Sequence, residues 1–264
     1  MDLRGRSVLI TGASSGIGAE IARELVRRGA RPILVARGAE ALEALAAELR
    51  EAGGTVEVEP CDLSSDAEIA RLAERVSGDR LPDVLINNAG AGIWRATWET
   101  EAGYGEVAMR LPYLAAYELT RQLLPAMIER GSGWILNITS AAGYLAIPGA
   151  TAYGVTRWAM RAFSYQLEAE LRGSGVGVTL LAPFEVDSPY FANNPGSRER
   201  IPKIAALVGD MTPADVAREA ADSIERERRE RIVPWRGRLI QRLTPAPVMR
   251  LLVAKTGWKP ERRG

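Results

Sequence analysis

The chain has 264 residues, 47% hydrophobic and 25% charged, which suits one folded α/β domain and excludes a disordered, collagenous or low-complexity chain. Its 34 basic and 33 acidic residues nearly cancel, leaving no global field to recruit nucleic acid. It has no histidine and one cysteine, Cys61, which excludes an internal disulfide, a histidine- or cysteine-built metal site, a Ser-His-Asp triad and imidazole acid–base chemistry. Any catalysis falls to Tyr, Ser, Lys, Arg, Asp or Glu, or to a cofactor.

The N-terminal Met1-Asp2-Leu3-Arg4-Gly5-Arg6 leads straight into an apolar run without a signal-peptide pattern. No stretch of about eighteen apolar residues occurs, so the expected setting is cytoplasmic. Ser7-Val8-Leu9-Ile10 reads as a buried strand, with a helix over about 16–28 after it. Pro32 to Ala36 is a second strand, and Leu42, Leu45 and Leu49 recur at helical spacing over about 40–51, where Gly53-Gly54 stops the pattern. Thr55 to Val58 is a third strand, about 65–76 a third helix and Val84-Leu85-Ile86 a fourth strand. A long helix over about 113–129 closes at Gly131; Trp134 to Ile138 is a fifth strand, about 152–171 a second long helix and Gly177 to Leu181 a sixth strand. Continuous apolar strands alternating with helices predict a parallel, doubly wound α/β sheet covered on both faces, with no linker dividing the chain. The Pro-, Asn- and Gly-rich stretch after the sixth strand, about 187–210, lies where ligands bind in such sheets and is a candidate lid.

Thr11-Gly12-Ala13-Ser14-Ser15-Gly16-Ile17-Gly18 joins the first strand to the first helix. Glycines there allow a tight turn and close approach of the backbone to a pyrophosphate, and the helix start offers free N–H groups. The spacing T-G-x-x-x-G-x-G resembles the short-chain dehydrogenase/reductase family, whose fold is a Rossmann-type sheet. Asp62 in Cys61-Asp62-Leu63, the run Asn87-Asn88-Ala89-Gly90, and Ser140 and Tyr153, thirteen apart, resemble further motifs of that family. The likeness covers about residues 3–190. It implies a dinucleotide held by Gly12, Ser14, Ser15, Gly16, Ile17, Gly18, Asp62, Leu63, Asn88, Ala89, Gly90, Tyr153, Arg157, Val186 and Ser188. At the end of the second strand, where an acid would take a ribose 2′-hydroxyl, stand Ala36 and Arg37. A cation suits a 2′-phosphate, so the expected cofactor is NADP(H).

The resemblance implies that Tyr153 gives a proton to a substrate oxygen while Ser140 hydrogen-bonds it. A phenol ordinarily titrates near ~10, so a nearby cation is needed for such work near neutrality. The family's lysine four residues after the tyrosine is replaced by Arg157, which shares a helical face with Tyr153 and keeps the charge but cannot pass on a proton. The family's helix asparagine aligns with Pro112, and its Pro-Gly-x-x-x-Thr run is Pro183-Phe184-Glu185-Val186-Asp187-Ser188. Phe184 puts a ring where the family has a glycine. Trp94, Trp98, Tyr144, Leu145, Ile147, Pro148, Phe184, Tyr190 and Phe191 are candidate walls of an apolar pocket, with Trp94, Tyr144, Phe184 and Tyr190 foremost; Trp158 and Phe163 are core or interface candidates.

The expected activity is NADP(H)-dependent reduction of a carbonyl on a bulky apolar substrate, or the reverse oxidation. The alternatives are non-redox chemistry (cyclisation, dehydration, rearrangement) on the same fold, or dinucleotide binding with little turnover. The expected layout is a core over about 3–235 and a basic amphipathic extension over about 236–264. From Arg226 to Gly264 twelve Arg or Lys face three Glu, a net +9. Such an end suits an anionic membrane, an acidic partner, or an apolar face packed on its own subunit or a twin. The resemblance implies a homodimer or homotetramer.

Overall fold

The structure, a computed structural model, describes residues 1–259. Seven strands form one sheet: β1 (Ser7–Thr11), β2 (Arg31–Ala36), β3 (Glu57–Pro60), β4 (Val84–Asn87), β5 (Gly133–Ile138), β6 (Val176–Pro183) and β7 (Glu230–Val233). Their order is β3-β2-β1-β4-β5-β6-β7, and every pairing is parallel. The helices are α1 (Gly16–Arg27), α2 (Ala39–Glu51), α3 (Asp66–Arg75), α4 (Tyr104–Met109), α5 (Ala115–Arg130), α6 (Thr151–Glu170), α7 (Tyr190–Asn193), α8 (Pro213–Glu225), α9 (Trp235–Leu243) and α10 (Ala246–Thr256).

The apolar strands are continuous because both sheet faces are covered. Val8 and Ile10 of β1 point into a core shared with α1, α2 and α8; Leu9, between them, points into the opposite core with α3, α5 and α6. All three are fully buried, each side chain contributing about 1.5–3 kcal/mol of burial. A buried polar chain crosses the second core. Asn87 Nδ2 donates to Asn137 Oδ1 at 2.8 Å on the neighbouring strand, and Asn137 Nδ2 donates to Ser164 Oγ of α6 at 2.9 Å. These bonds tie β4, β5 and α6 together in one register, although Asn87 Oδ1 stays buried without a partner among the described residues.

The six predicted strands are present, with boundaries moved by no more than two residues. Three features depart from the expectation. First, the long helix does not begin at Tyr113: α4 runs into α5 through a widened π-type turn, Arg110–Leu114. Pro112 is buried in that turn, where its missing N–H and its ring are tolerated without ending the helical path. Second, α8 follows Thr212, whose Oγ1 accepts from the Asp215 N–H while the Asp215 carboxylate accepts from the Thr212 N–H, a reciprocal cap with Pro213 at the first helical position. Third, β7 extends the sheet beside β6. The predicted basic extension folds as α9 and α10; its residues 260–264 lie outside the described residues. No helix among the described residues is long and apolar enough to cross a membrane.

Candidate active site

β1 and β4 are neighbours in the sheet, although the chain first runs outward to β3. The connections leaving their carboxyl ends therefore diverge and leave a crevice, the usual ligand position in such sheets. A cavity of about 1030 Å³ occupies it, floored by the loops after β1, β4, β5 and β6 and walled by α6, the 186–208 segment, α9 and α10.

The phosphate-type loop is held from below. Thr11 Oγ1 donates to Ile86 O and accepts from the N–H groups of Asn88 and Ala89 at 2.9 and 3.0 Å. Asn88 Nδ2 donates to Thr11 O and Gly12 O in return. This clasp brings the loop so close to the Asn88–Ala89 turn that a Cβ on Gly12 would stand 2.9 Å from Ala89 Cα, and one on Gly18 would stand 2.2 Å from Gly12 O. Gly12 and Gly16 also adopt positive φ. No side chain caps the N-terminus of α1. The first-turn N–H groups thus meet a cavity lined by Gly12, Ser14, Ser15, Gly16 and Ile17, a cradle that fits a pyrophosphate.

Of the other residues expected to hold a dinucleotide, Arg37, Leu63, Asn88, Ala89, Gly90, Tyr153, Arg157, Val186 and Ser188 line the cavity. Gly18 and Asp62 do not. Gly18 acts beneath the loop as a contact that excludes any side chain. The Asp62 carboxylate accepts from the backbone N–H and hydroxyl of Ser64, which hold it below the ordinary carboxylate range. Arg37 is exposed at the rim beside Gly38 and forms no ion pair among the described residues. Cys61 lies in the wall, and burial pushes its thiol up to about 11, away from the reactive thiolate.

Three phenols reach the cavity, Tyr144, Tyr153 and Tyr190, and their hydroxyls differ. The Tyr144 hydroxyl is bonded to the Glu230 carboxylate, and burial followed by that carboxylate pushes its titration upward. The Tyr190 hydroxyl donates to Gly92 O, and burial followed by the Tyr153 phenol pushes it upward as well. The Tyr153 hydroxyl has no hydrogen-bond partner among the described residues. Its ring packs between Trp94 (centroids 5.1 Å apart) and Tyr190 (6.0 Å). Ser140 caps the short turn 141–143 by accepting from the Ala142 N–H, and the adjacent Thr139 Oγ1 donates to Arg157 O of α6 at 2.9 Å. That bond straps the Ser140 loop to the helix carrying Tyr153.

Arg157 is 7% exposed. A cation so buried is normally paired, yet among the described residues it forms no ion pair and its Nε has no partner. Its guanidinium carbon stands 4.7 Å from the centre of the Tyr153 ring. Its Nη2 lies 3.1 Å from where a Cβ on Gly90 would stand. The site thus holds a buried positive charge in the cavity wall that no described residue compensates.

Phe184 lines the cavity with little distortion, because Gly237 of α9 faces its ring: a Cβ there would come within 2.3 Å. Trp94, Tyr144, Leu145, Ile147, Tyr190 and Phe191 also line the cavity. Trp98 and Pro148 do not. Trp98 is exposed and pairs with Trp258. Trp158 is exposed, whereas Phe163 packs against the second core. Leu111, and not Pro112, reaches the cavity from the turn before α5. The sequence reading missed Ile240, Gln241, Met249 and Val253, which bring the C-terminal helices into the cavity wall; the apolar spacing of Met249 and Val253 is the signal that marks them.

The ends of the 186–208 segment are joined at its base, where Asp187 and Met211 exchange backbone contact and the Met211 N–H donates to Glu185 O. Its far side is latched to the loop after β4. The Trp94 N–H donates to Ser197 Oγ at 3.1 Å, and Arg200 pairs with Glu99 at 2.6 Å.

Residues 6–199 match the short chain dehydrogenase family model. The chain is 36% identical over 242 residues to a fatty acyl-CoA reductase of Acinetobacter baylyi, covering 90% of this chain and 79% of that protein. It is 33% identical over 232 residues to the ketoacyl reductase HetN of Nostoc, covering 88% and 79%. Among solved structures, a short-chain dehydrogenase from Sphingobium yanoikuyae in complex with NADPH superposes with a TM-score of 0.77 at 32% identity, over 87% of this chain and 88% of that one.

Proposed function

The chain belongs to the short-chain dehydrogenase family, and on that premise we propose that it is an NADP(H)-dependent oxidoreductase that reduces a carbonyl group on a bulky apolar substrate, or oxidises the corresponding alcohol. The observation that carries this reading is the contrast among the three cavity phenols: only Tyr153 has a hydroxyl left uncommitted, and it stands beside a buried, unpaired guanidinium.

When bound, the reduced nicotinamide supplies the two electrons and the hydrogen that the carbonyl carbon takes up. Tyr153 gives its phenolic proton to the carbonyl oxygen, and the Ser140 hydroxyl donates a hydrogen bond to that oxygen as its negative charge grows. Arg157 turns its donors toward the ribose hydroxyls and keeps positive charge beside the phenol that has lost its proton. It cannot pass on a proton, so water returns the proton to Tyr153. The α1 N-terminus and its loop hold the pyrophosphate, and Arg37 holds a 2′-phosphate at the rim. Trp94 Nε1 is buried in the same wall and faces the Tyr190 phenol. The name of the Acinetobacter relative, a reductase of fatty acyl-CoA, agrees with an apolar carbonyl substrate.

Ser140→Ala and Arg157→Lys test this assignment over a panel of apolar ketones and aldehydes. Ser140→Ala lowers kcat by roughly a hundredfold while the NADPH Kd is little changed. Arg157→Lys lowers turnover as well, because lysine lacks the branched donors that fill the space beside Gly90 and the Tyr153 ring. Turnover that survives Ser140→Ala, or that rises in Arg157→Lys, contradicts the roles given to these residues.

A further inference from the structure

We infer that the outer faces of α9 and α10 form a docking surface for an anionic lipid bilayer. Residues 235–259 hold six cations, Arg236, Arg238, Arg242, Arg250, Lys255 and Lys259, and no acid. All six are exposed, and none forms an ion pair among the described residues. Elsewhere the surface arginines are largely matched to acids, as Arg28 is to Glu24, Asp222 and Glu225. The unmatched charge is therefore concentrated on this hairpin.

Apolar side chains are interleaved with it. On α9, Trp235, Leu239 and Leu243 recur every fourth residue and so form one stripe, flanked by Arg236 and Arg242. Trp235 is 62% and Leu243 71% exposed. The opposite side of the helix is occupied, since Gly237 meets the Phe184 ring. On α10, Met249 and Val253 are buried inward, while Val248, Leu251 and Lys255 share the outward side. The segment 203–207, against which α10 packs, adds exposed Lys203 and Leu207. An apolar stripe bordered by cations, on helices whose other side is already packed, is the pattern of a helix lying in a membrane interface.

Charge decides among the possible occupants. A second copy docking through the same face about a twofold axis would set six cations against six, with no acid between them. Nucleic acid would satisfy the cations but not the exposed Leu239, Leu243, Val248 and Leu251, which offer neither hydrogen bonds nor a ring to stack on a base. An anionic bilayer satisfies both, headgroups taking the cations and the upper acyl region taking the stripe. Because Ile240, Gln241, Met249 and Val253 on the same helices line the cavity, docking sets the cavity wall against the lipid. Binding to the bilayer follows from charge and exposure alone, whatever the cavity turns over.

Cosedimentation of the full-length protein with vesicles of phosphatidylcholine alone, or mixed with phosphatidylserine, tests the surface. Binding is expected on the mixed vesicles, at least tenfold weaker on the neutral ones, and weakened by salt. A cation near such a surface is worth about fivefold, so the double variant Arg236→Glu/Arg242→Glu loses at least tenfold, and Leu243→Ser/Leu251→Ser loses binding on both. All four side chains point outward, so the circular dichroism spectrum and thermal midpoint stay as in the parent protein. The tryptophan emission shifts to the blue on the mixed vesicles, and Trp235→Phe abolishes that shift while the protein still sediments. Three results overturn the inference: no binding to the mixed vesicles, equal binding to both kinds, or charge-reversed protein that binds like the parent. It falls equally if the variants only dissociate an oligomer in light scattering, which would make the face an interface between copies.

Discussion

Arg157 stands four residues after Tyr153, where the family resemblance expects a lysine, and its surroundings are built to its shape. Its guanidinium occupies the space a side chain on Gly90 would need and stands close to the Tyr153 ring, with no acid among the described residues to neutralise it. Arg37 is a contrasting cation, exposed at the rim and free of any carboxylate. Removing one charge-assisted contact to a 2′-phosphate costs about 1.5–3 kcal/mol. Arg37→Glu is therefore expected to weaken NADPH roughly tenfold to hundredfold and leave NADH unchanged or tighter, as read by fluorescence titration. Equal loss for both cofactors would remove Arg37 from the 2′ position. The motifs around these residues were legible because each is a short run or a fixed spacing in the chain: the Thr11–Gly18 loop, the Asn87–Gly90 turn and the Ser140/Tyr153 pair; the clasp between the first two, some 77 residues apart, was not. That Tyr153, unlike Tyr144 and Tyr190, keeps an uncommitted hydroxyl was not legible, because the competing partners Glu230 and Gly92 are distant in the chain.

The segments joining these residues show where periodicity served and where it ended. Strands β1 to β6 announced themselves through apolar runs, but β7, Glu230–Val233, is four residues long with two charges, too short and too polar to stand out. Helix α8 carried a readable signal in Thr212-Pro213-Ala214-Asp215, a cap followed by a proline, which periodicity alone passed over. The long helix was expected from about Tyr113, just after Pro112, whereas the π-type turn carries the helical path through that proline from α4. The bulk of Phe184 found its answer in Gly237, on another helix, and no reading of either segment alone would connect them. Gly237→Ala drives a methyl into the Phe184 ring, an overpacking worth about 1–3 kcal/mol. The expected result is a Tm lower by roughly 2–10 °C and faster proteolytic release of α9. An unchanged Tm would mean that α9 is not seated on Phe184.

Taken together, the sheet order sets the chemistry. The reversal between β1 and β4 opens the crevice, the α1 N-terminus faces it from one side, and α6 brings Tyr153 and Arg157 to the other. The C-terminal helices close the apolar end with their inner residues and leave their cationic side outward. The most direct test of this arrangement is a single-turnover experiment in which the protein is mixed with NADPH and an apolar ketone, and the loss of the reduced-nicotinamide absorbance is followed for the parent and for Tyr153→Phe. The account predicts that the variant binds NADPH with nearly the parent affinity but oxidises it about a thousandfold more slowly. Oxidation at the parent rate in Tyr153→Phe would contradict it.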